Sequence, residues 1–175
     1  MSATSKPETS ACSYVLGDDG LAHWSDIHAD AWIGLLESHK RLTRALDAEL
    51  DAEHGLTLSG LETLGRLAAA PQRKLRLSDL AAKCGLSLSR ISRIIDALED
   101  RKLVERCAVA QDARAREAWL TDSGLELVQR AQASHFAAVQ RLFFEPLSDQ
   151  DIATLAAVFS RFAPRSAEEC SATSE

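Results

Sequence analysis

The feature that most constrains the fold of this chain is residues 80–98, where two short amphipathic stretches flank a single glycine. Gly85 can adopt the left-handed backbone conformation that ends many helices and is costly for a residue with a Cβ. Ala81 is small enough for a second helix to cross the first closely. The positions that would fill the wedge between two such helices are Leu80, Cys84, Leu86, Ile91 and Ile94. The segment therefore predicts a helix-turn-helix.

The polar residues of this segment cluster at the start of its second helix. Those predicted to project outward are Ser87, Ser89, Arg90 and Arg93. In a helix-turn-helix, this part of the second helix contacts base edges and phosphates of DNA. We therefore expect these side chains to contact DNA. The alternative interpretation is an ordinary pair of helices with a solvated basic face.

Helical periodicity also precedes this segment. Apolar residues recur at spacings of three and four over residues 25–54, which predicts a long amphipathic helix ended by Gly55. A second helix is predicted over residues 58–70. Its N-cap is either Thr57 or the first residue of a capping box that starts at Ser59.

Short alternating stretches predict a small sheet among these helices. Residues 74–77 are too few for a helix and predict a brief strand, after which Ser78 is expected to cap a short helix. Residues 103–107 and 117–121 predict two strands joined by a polar loop, which makes a β-hairpin. The fold class predicted from the sequence is mainly α with a small β-hairpin.

The predicted hairpin carries two arginines at its tip. Arg114 and Arg116 could lie along the phosphates or enter the minor groove of DNA, whose negative potential attracts arginine. Asp112 could accept hydrogen bonds from the loop backbone or pair with Arg114. A hairpin with two arginines is by itself also typical of a solvated turn, but the order helix, turn, helix, hairpin favours DNA binding.

Two closing helices are predicted, the first capped by Thr121 and reaching about residue 144, the second capped by Ser148 with Asp151 at its third position. Their apolar residues exceed what a thin core needs: Phe136, Val139, Leu142, Phe143, Ile152, Leu155, Phe159 and Phe162. We interpret this excess as the interface of a homodimer. The alternative is that these helices cover the back of a monomer.

The charge of the chain is segregated. Residues 71–116 contain 11 Lys or Arg against 6 Asp or Glu, whereas the rest of the chain has 9 against 20, which together give the net charge of −6. A basic segment in an acidic protein is typical of a DNA-contacting module. Within it, Arg73, Lys74 and Arg76 are expected to add phosphate contacts.

The sequence favours no enzyme, metal or cofactor. It contains no glycine-rich phosphate loop, no nucleophile and base in a recognisable order, and no metal-ligand spacing. No apolar run is long enough to span a membrane, and the first residues lack the apolar core of an export signal, so we expect a cytoplasmic protein.

The four cysteines, Cys12, Cys84, Cys107 and Cys170, are scattered and predict neither a zinc site nor disulfides. A redox-sensing thiol would have to be accessible and have a low pKa. Cys84 is expected to be buried and inert, which leaves Cys107 as the better candidate.

Residues 75–121 resemble the winged helix-turn-helix of MarR-type bacterial transcription regulators, and the resemblance extends over about residues 31–162. The spacing from the second helix to the Leu-Thr-x-x-Gly turn fits without a gap. The resemblance depends on Leu80-Ala81, Ile94-Ile95-Asp96-Ala97-Leu98-Glu99-Asp100-Arg101, Leu103-Val104-Glu105-Arg106, Asp112-Ala113-Arg114 and Leu120-Thr121-Asp122-Ser123-Gly124. Two departures lie in the wing, where Ala113 replaces a usual arginine and Cys107-Ala108 replaces a charged or proline-containing entry.

This resemblance implies a ligand-responsive repressor that binds double-stranded DNA as a homodimer on a pseudo-palindromic operator. Members of the family commonly sense a phenolic or other aromatic acid between the dimerisation helices and the DNA-binding lobe. The candidate effector-binding residues are His28, Trp32, His39, Arg66 and Trp119. The first three share roughly one helical face, although Trp32 could equally belong to the dimer core.

We expect residues 1–20 to be a disordered leader and residues 164–175 a disordered tail. Residues 21–56 and 122–163 are expected to form a helical dimerisation region, and residues 57–121 the DNA-binding lobe. A winged-helix module that docks an acidic protein partner is the alternative function from another class. A thiol-based redox-sensing regulator, a class that the resembled family contains, is a second alternative.

Overall fold

The computed structural model of the chain describes residues 14–24, 26–109 and 112–162, with only the backbone described for residues 26, 108, 109 and 112–115. The helices and strands, in chain order, are β1 (Tyr14–Leu16), β2 (Ala22–Trp24), α1 (Asp26–His54), α2 (Leu58–Ala68), β3 (Lys74–Arg76), α3 (Leu77–Cys84), α4 (Leu88–Asp100), β4 (Val104–Val109), β5 (Asp112–Leu120), α5 (Asp122–Val139) and α6 (Asp149–Phe159). The chain divides into two units, residues 1–44 and 45–175, and the boundary falls within α1.

The first unit contains an antiparallel hairpin of β1 and β2, followed by the first part of α1. Tyr14 pairs with Trp24 across the hairpin, and their rings meet edge to face with centroids 6.3 Å apart. This hairpin corrects the prediction that residues 1–20 form a disordered leader. Strands of three residues give too short a pattern to be recognised by alternation. Residues 1–13 and the predicted tail, 164–175, lie outside the described residues.

The second unit contains a helical core and a three-stranded sheet. β5 is the central strand and pairs antiparallel with β3 on one side and β4 on the other. Ala118 and Leu120 of β5 are fully buried with Leu64, Leu80 and Ile91. The mainly helical fold with a small antiparallel sheet confirms the predicted fold class.

The helix boundaries largely follow the local signals. The hydroxyl of Thr57 accepts from the N–H of Gly60 at 3.1 Å, so Thr57 is the N-cap of α2. Thr121 caps α5 and Ser148 forms a reciprocal capping box with Asp151 at the start of α6, as predicted.

Three boundaries differ in detail from the predictions. α3 begins at Leu77, so Ser78 lies inside its first turn and its hydroxyl bonds Asp79 at 3.2 Å. α2 ends two residues early, at Ala68. α5 ends at Val139 and is continued to residue 144 by a π-helical turn, which periodicity alone does not distinguish from α-helix.

No helix in the described parts of the chain is both long enough and apolar enough to cross a membrane.

Candidate nucleic-acid interface

The turn between α3 and α4 has the geometry that the sequence predicts. Gly85 has φ +62°, in the left-handed region, and its N–H donates to the carbonyl of Ala82 at 3.2 Å. The next N–H, of Leu86, donates to the carbonyl of Ala81 at 3.0 Å. Both bonds satisfy carbonyls at the end of α3, so the chain turns sharply into α4.

The wedge between the two helices is filled as predicted. Leu80 and Ile91 are fully buried and Ala81 is nearly so. Cys84, Leu86 and Ile94 are partly buried and pack against the same core. The packing fixes the face that α4 turns away from the core.

That outward face carries the four predicted side chains. Ser87, Ser89, Arg90 and Arg93 are all exposed, and they line one open groove of about 670 Å³. Ser87 is the N-cap of α4, because its hydroxyl accepts from the N–H of Arg90 at 3.3 Å. The groove also has an apolar floor that includes Leu56.

Arg90 and Arg93 carry exposed charges. Neither guanidinium forms an ion pair with a carboxylate in the part of the chain that the structure describes. An exposed arginine without an internal partner is available for a phosphate or a guanine edge. Whether these side chains contact DNA stays a prediction.

The wing is formed by β4 and β5, which are longer than predicted and together span Val104–Leu120 apart from residues 110 and 111. Arg116 is exposed on β5. The backbone of Arg114 also belongs to β5, but its side chain and that of Asp112 lie outside the described side chains. The expected pairing of Asp112 therefore stays a prediction.

The three basic residues before α3 differ from one another. Arg73 donates to the carboxylate of Asp122 at 2.8 Å. Lys74 pairs with Glu117 at 2.5 Å, and this bond raises the pKa of the lysine above its ordinary value. Arg76 is exposed and has no ion pair among the described residues. The three are therefore not equally available to phosphates.

Arg106 is a residue whose role the sequence does not reveal. From β4, its guanidinium reaches α4, where it donates to the carbonyl of Ser92 at 2.8 Å and pairs with Asp96 at 2.5 Å. Its backbone N–H donates to Glu99 at 3.0 Å. Alternation in Val104-Glu105-Arg106 would have placed Arg106 on the inner face with Val104, but the bonded partners could not be deduced. Arg106 joins the wing to α4.

Arg101, the C-cap of α4, makes a second such connection. Its guanidinium donates to the carbonyls of His54 at 2.9 Å and Gly55 at 2.6 Å. These carbonyls lie at the end of α1, where helices leave carbonyls without partners. A sequence shows Arg101 only as one more basic residue, because its partners are 46 and 47 positions away.

The five candidate effector residues are divided between the two units. His28, Trp32 and His39 lie on α1 in the first unit, where Trp32 and His39 are exposed. In the second unit, Arg66 pairs with Glu62 at 3.1 Å, and Trp119 is 45% exposed on β5. Their role in ligand binding stays a prediction.

Cys84 lies at the end of α3 and Cys107 in β4. Burial raises the pKa of the Cys84 thiol, which disfavours the reactive thiolate and agrees with the expectation that it is inert. Cys107 is half-buried, and Cys12 and Cys170 lie outside the described residues. Within the described ranges, no group of three His, Cys, Asp or Glu could hold a metal ion.

A helix-turn-helix followed directly by a β-hairpin, with its basic face outward, defines a winged-helix DNA-binding protein. Residues 54–115 match the model of the MarR family. AbsC, a MarR family transcriptional regulator from Streptomyces coelicolor, is 33% identical, with 81% of this chain and 95% of that chain covered and a TM-score of 0.73. This chain therefore belongs to the MarR family of transcriptional regulators.

Two other solved structures are similar. Sco3205, a MarR family regulator from Streptomyces coelicolor solved in complex with DNA, is 28% identical, covering 83% of this chain and 94% of that chain with a TM-score of 0.75. A MarR family regulator from Rhodococcus sp. RHA1 shares the fold at 23% identity, with 79% and 96% covered and a TM-score of 0.67. No curated protein matches the chain significantly.

Proposed function

We propose that this family member is a ligand-responsive repressor that binds a pseudo-palindromic operator as a homodimer. The observation that carries the proposal is the outward face of α4, where Arg90 and Arg93 are exposed, unpaired among the described residues and flanked by two serines. In the dimer, two copies of α4 enter successive major grooves about 34 Å apart.

The proposed DNA contacts come from α4, from the wing and from the segment before α3. Ser87, Ser89, Arg90 and Arg93 contact bases and adjacent phosphates, and Arg114 and Arg116 act from the wing. Arg76 adds a phosphate contact from the start of α3. Arg73 and Lys74 also add phosphate contacts, which compete with their ion pairs to Asp122 and Glu117.

The dimer is supported by apolar surface that the chain leaves uncovered. α6 contains no buried residue, and Phe159 and Phe162 at its end are exposed, as is Phe136 on α5. In the first unit, no described side chain of α1 is buried before residue 45. Apolar surface of this extent is typical of a protein interface.

The effector is proposed to be a small aromatic acid. The candidate ligand-binding residues on α1 are His28, Trp32 and His39, which offer an indole and two imidazoles. Arg66 and Trp119 are further candidates, a cation and a second indole. The effector represses DNA binding by stabilising a dimer in which the two α4 helices are spaced wrongly for adjacent major grooves.

Selection of bound genomic fragments followed by footprinting tests the proposal. The expected result is a protected site with two-fold symmetry, whose two halves are centred about one helical turn apart. The genes next to the protected site would then suggest a ligand. Adding that ligand should release the protein from its DNA site. Binding to no fragment even at low salt, together with capture of an acidic protein, would support a protein-docking module instead.

A further inference from the structure

The β1–β2 hairpin has no role in the proposed function. Its turn is well formed: the N–H of Gly17 donates to the carbonyl of Leu21 at 2.8 Å, and the N–H of Leu21 donates to Asp19 at 2.9 Å. Gly20 has φ +75°, a conformation that glycine adopts without strain. The hairpin is therefore a specific structure rather than a chance pairing of two segments.

The two faces of the hairpin differ in chemistry. The pairing register places Tyr14, Leu16 and Trp24 on one face, with Ala22 opposite Leu16. Val15 and His23 occupy the other face. One face is thus wholly apolar and aromatic, and the other is mixed.

The apolar face is uncovered in the single chain. Tyr14 is 60% exposed, Leu16 71% and Trp24 47%. A two-stranded hairpin is marginally stable in water and needs a packing partner. No side chain described between residues 14 and 44 is buried, so the first unit does not supply that partner.

We infer that the apolar face of this hairpin packs against a second copy of the chain and extends the dimer interface. The inference rests on the proposed homodimer. Trp24 lies two residues before α1, so an interface that contains the start of α1 continues onto the hairpin. Asp18 and Asp19 in the turn would repel phosphates, which disfavours DNA as the occupant.

The exposed area agrees with a second copy as the occupant. From their exposed fractions, Tyr14, Leu16 and Trp24 would bury roughly 300 Å² on contact. The exposed apolar residues on the start of α1, which are Ile27, Trp32, Ile33, Leu35 and Leu36, would bury roughly another 400 Å². Together they approach the roughly 800 Å² that each partner contributes to a stable interface.

Photo-crosslinking of the full chain tests this inference. A benzophenone amino acid is placed at Leu16, and the matched control carries it at the adjacent Val15, which is equally exposed but lies on the opposite face. We expect the Leu16 probe to give a species of two chains on a denaturing gel, at a yield at least fivefold above that of the Val15 probe. A crosslink confined to one chain, or equal yields, would overturn the inference.

Sedimentation velocity separates failure of the hairpin from failure of the dimer. The double variant Leu16→Ser and Trp24→Ser should raise the dimer dissociation constant at least tenfold, and Val15→Ser should change it less than threefold. A dimeric wild type with an unchanged constant in the double variant refutes the role of the hairpin alone. A monomeric wild type refutes both the homodimer and this inference.

Discussion

A Cβ added at Gly124 has no room, which makes Gly124→Ala an informative substitution. The added Cβ would lie 2.1 Å from the carbonyl oxygen of Leu103 and 2.7 Å from the Leu120 side chain. Heavy atoms in good contact are roughly 3.5 Å apart. Because the nearer neighbour is backbone, the first turn of α5 would have to move away from the α4–β4 turn by more than about 1 Å.

That movement breaks a defined set of hydrogen bonds. The N–H of Thr121 donates to the carbonyl of Leu103 at 3.1 Å, and the hydroxyls of Thr121 and Ser123 donate to the carbonyl of Lys102 at 2.9 and 3.1 Å. Losing two of them costs about 1 kcal/mol each, and the overpacking adds at least about 1 kcal/mol. We expect Gly124→Ala to lower the free energy of unfolding by about 3 kcal/mol.

Urea unfolding followed by far-UV circular dichroism, at a fixed protein concentration, measures this change. Gly65→Ala in α2 is the matched control, because its Cβ would meet only the flexible end of Gln132, at 3.5 Å. That control should be neutral or up to about 1 kcal/mol more stable than wild type. A Gly124→Ala protein as stable as wild type, or a control that loses as much, would refute the reasoning.

Three further predictions concern single side chains. Arg106→Ala should weaken DNA binding about tenfold and lower the free energy of unfolding by about 2 kcal/mol, because the wing loses its bonds to Ser92 and Asp96 on α4. Unchanged values in titration and urea unfolding would contradict this. Hydrogen bonds from the hydroxyl and N–H of Ser148 lower the pKa of Asp151 below 3.8, so its contribution to stability persists above that pH and is lost as pH falls through the lowered pKa. In a carbon-detected NMR titration, Ser148→Ala should raise that midpoint, and an unmoved midpoint would exclude the capping box as the cause. Cys84 should be alkylated by iodoacetamide near neutral pH at least tenfold more slowly in the folded protein than in urea, and equal rates would argue against protection of this partly buried thiol.

The helix-turn-helix could be predicted from the sequence because its signals are local. The left-handed turn at Gly85, the N-cap at Ser87 and the apolar spacing of the wedge all lie within about 20 residues, and each restricts the backbone directly. The outward face of α4 follows from the same periodicity. These are the features that the structure confirms.

The connections that hold this face in place could not be predicted in the same way. Arg101 and Arg106 look like additional DNA-binding charges in a count of basic residues. In the structure, Arg101 bonds the end of α1 and Arg106 bonds Ser92 and Asp96 on α4. Their partners are set by tertiary packing, which a single sequence does not display.

The hairpin of β1 and β2 was missed for a different reason. Each strand has three residues, and the Gly-Asp-Asp-Gly turn resembles a solvated loop. No described residue of the first unit is buried against its apolar face, so the sequence of this unit shows no pattern of core residues that would indicate a hairpin. An element of this kind becomes recognisable only once its pairing and exposure are known.

The hydrogen bonds that connect α4 to neighbouring elements also give the proposed mechanism its physical basis. The C-terminal end of α4 is tied to other elements, through Arg101 to the end of α1 and through the Lys102 and Leu103 carbonyls to Thr121. We expect α4 to move together with the end of α1 and the wing. A ligand that shifts α1 would then reposition the DNA-contacting face.

The central claim is that the outward face of α4 contacts DNA, and fluorescence anisotropy titrations of a bound operator over a range of salt concentrations test it most directly. Arg93→Ala should weaken binding at least tenfold, whereas Arg130→Ala, which removes an equally exposed arginine from α5, should change it less than twofold. The account would be contradicted if Arg93→Ala and Arg90→Ala both bound the operator with the affinity of the wild type at every salt concentration.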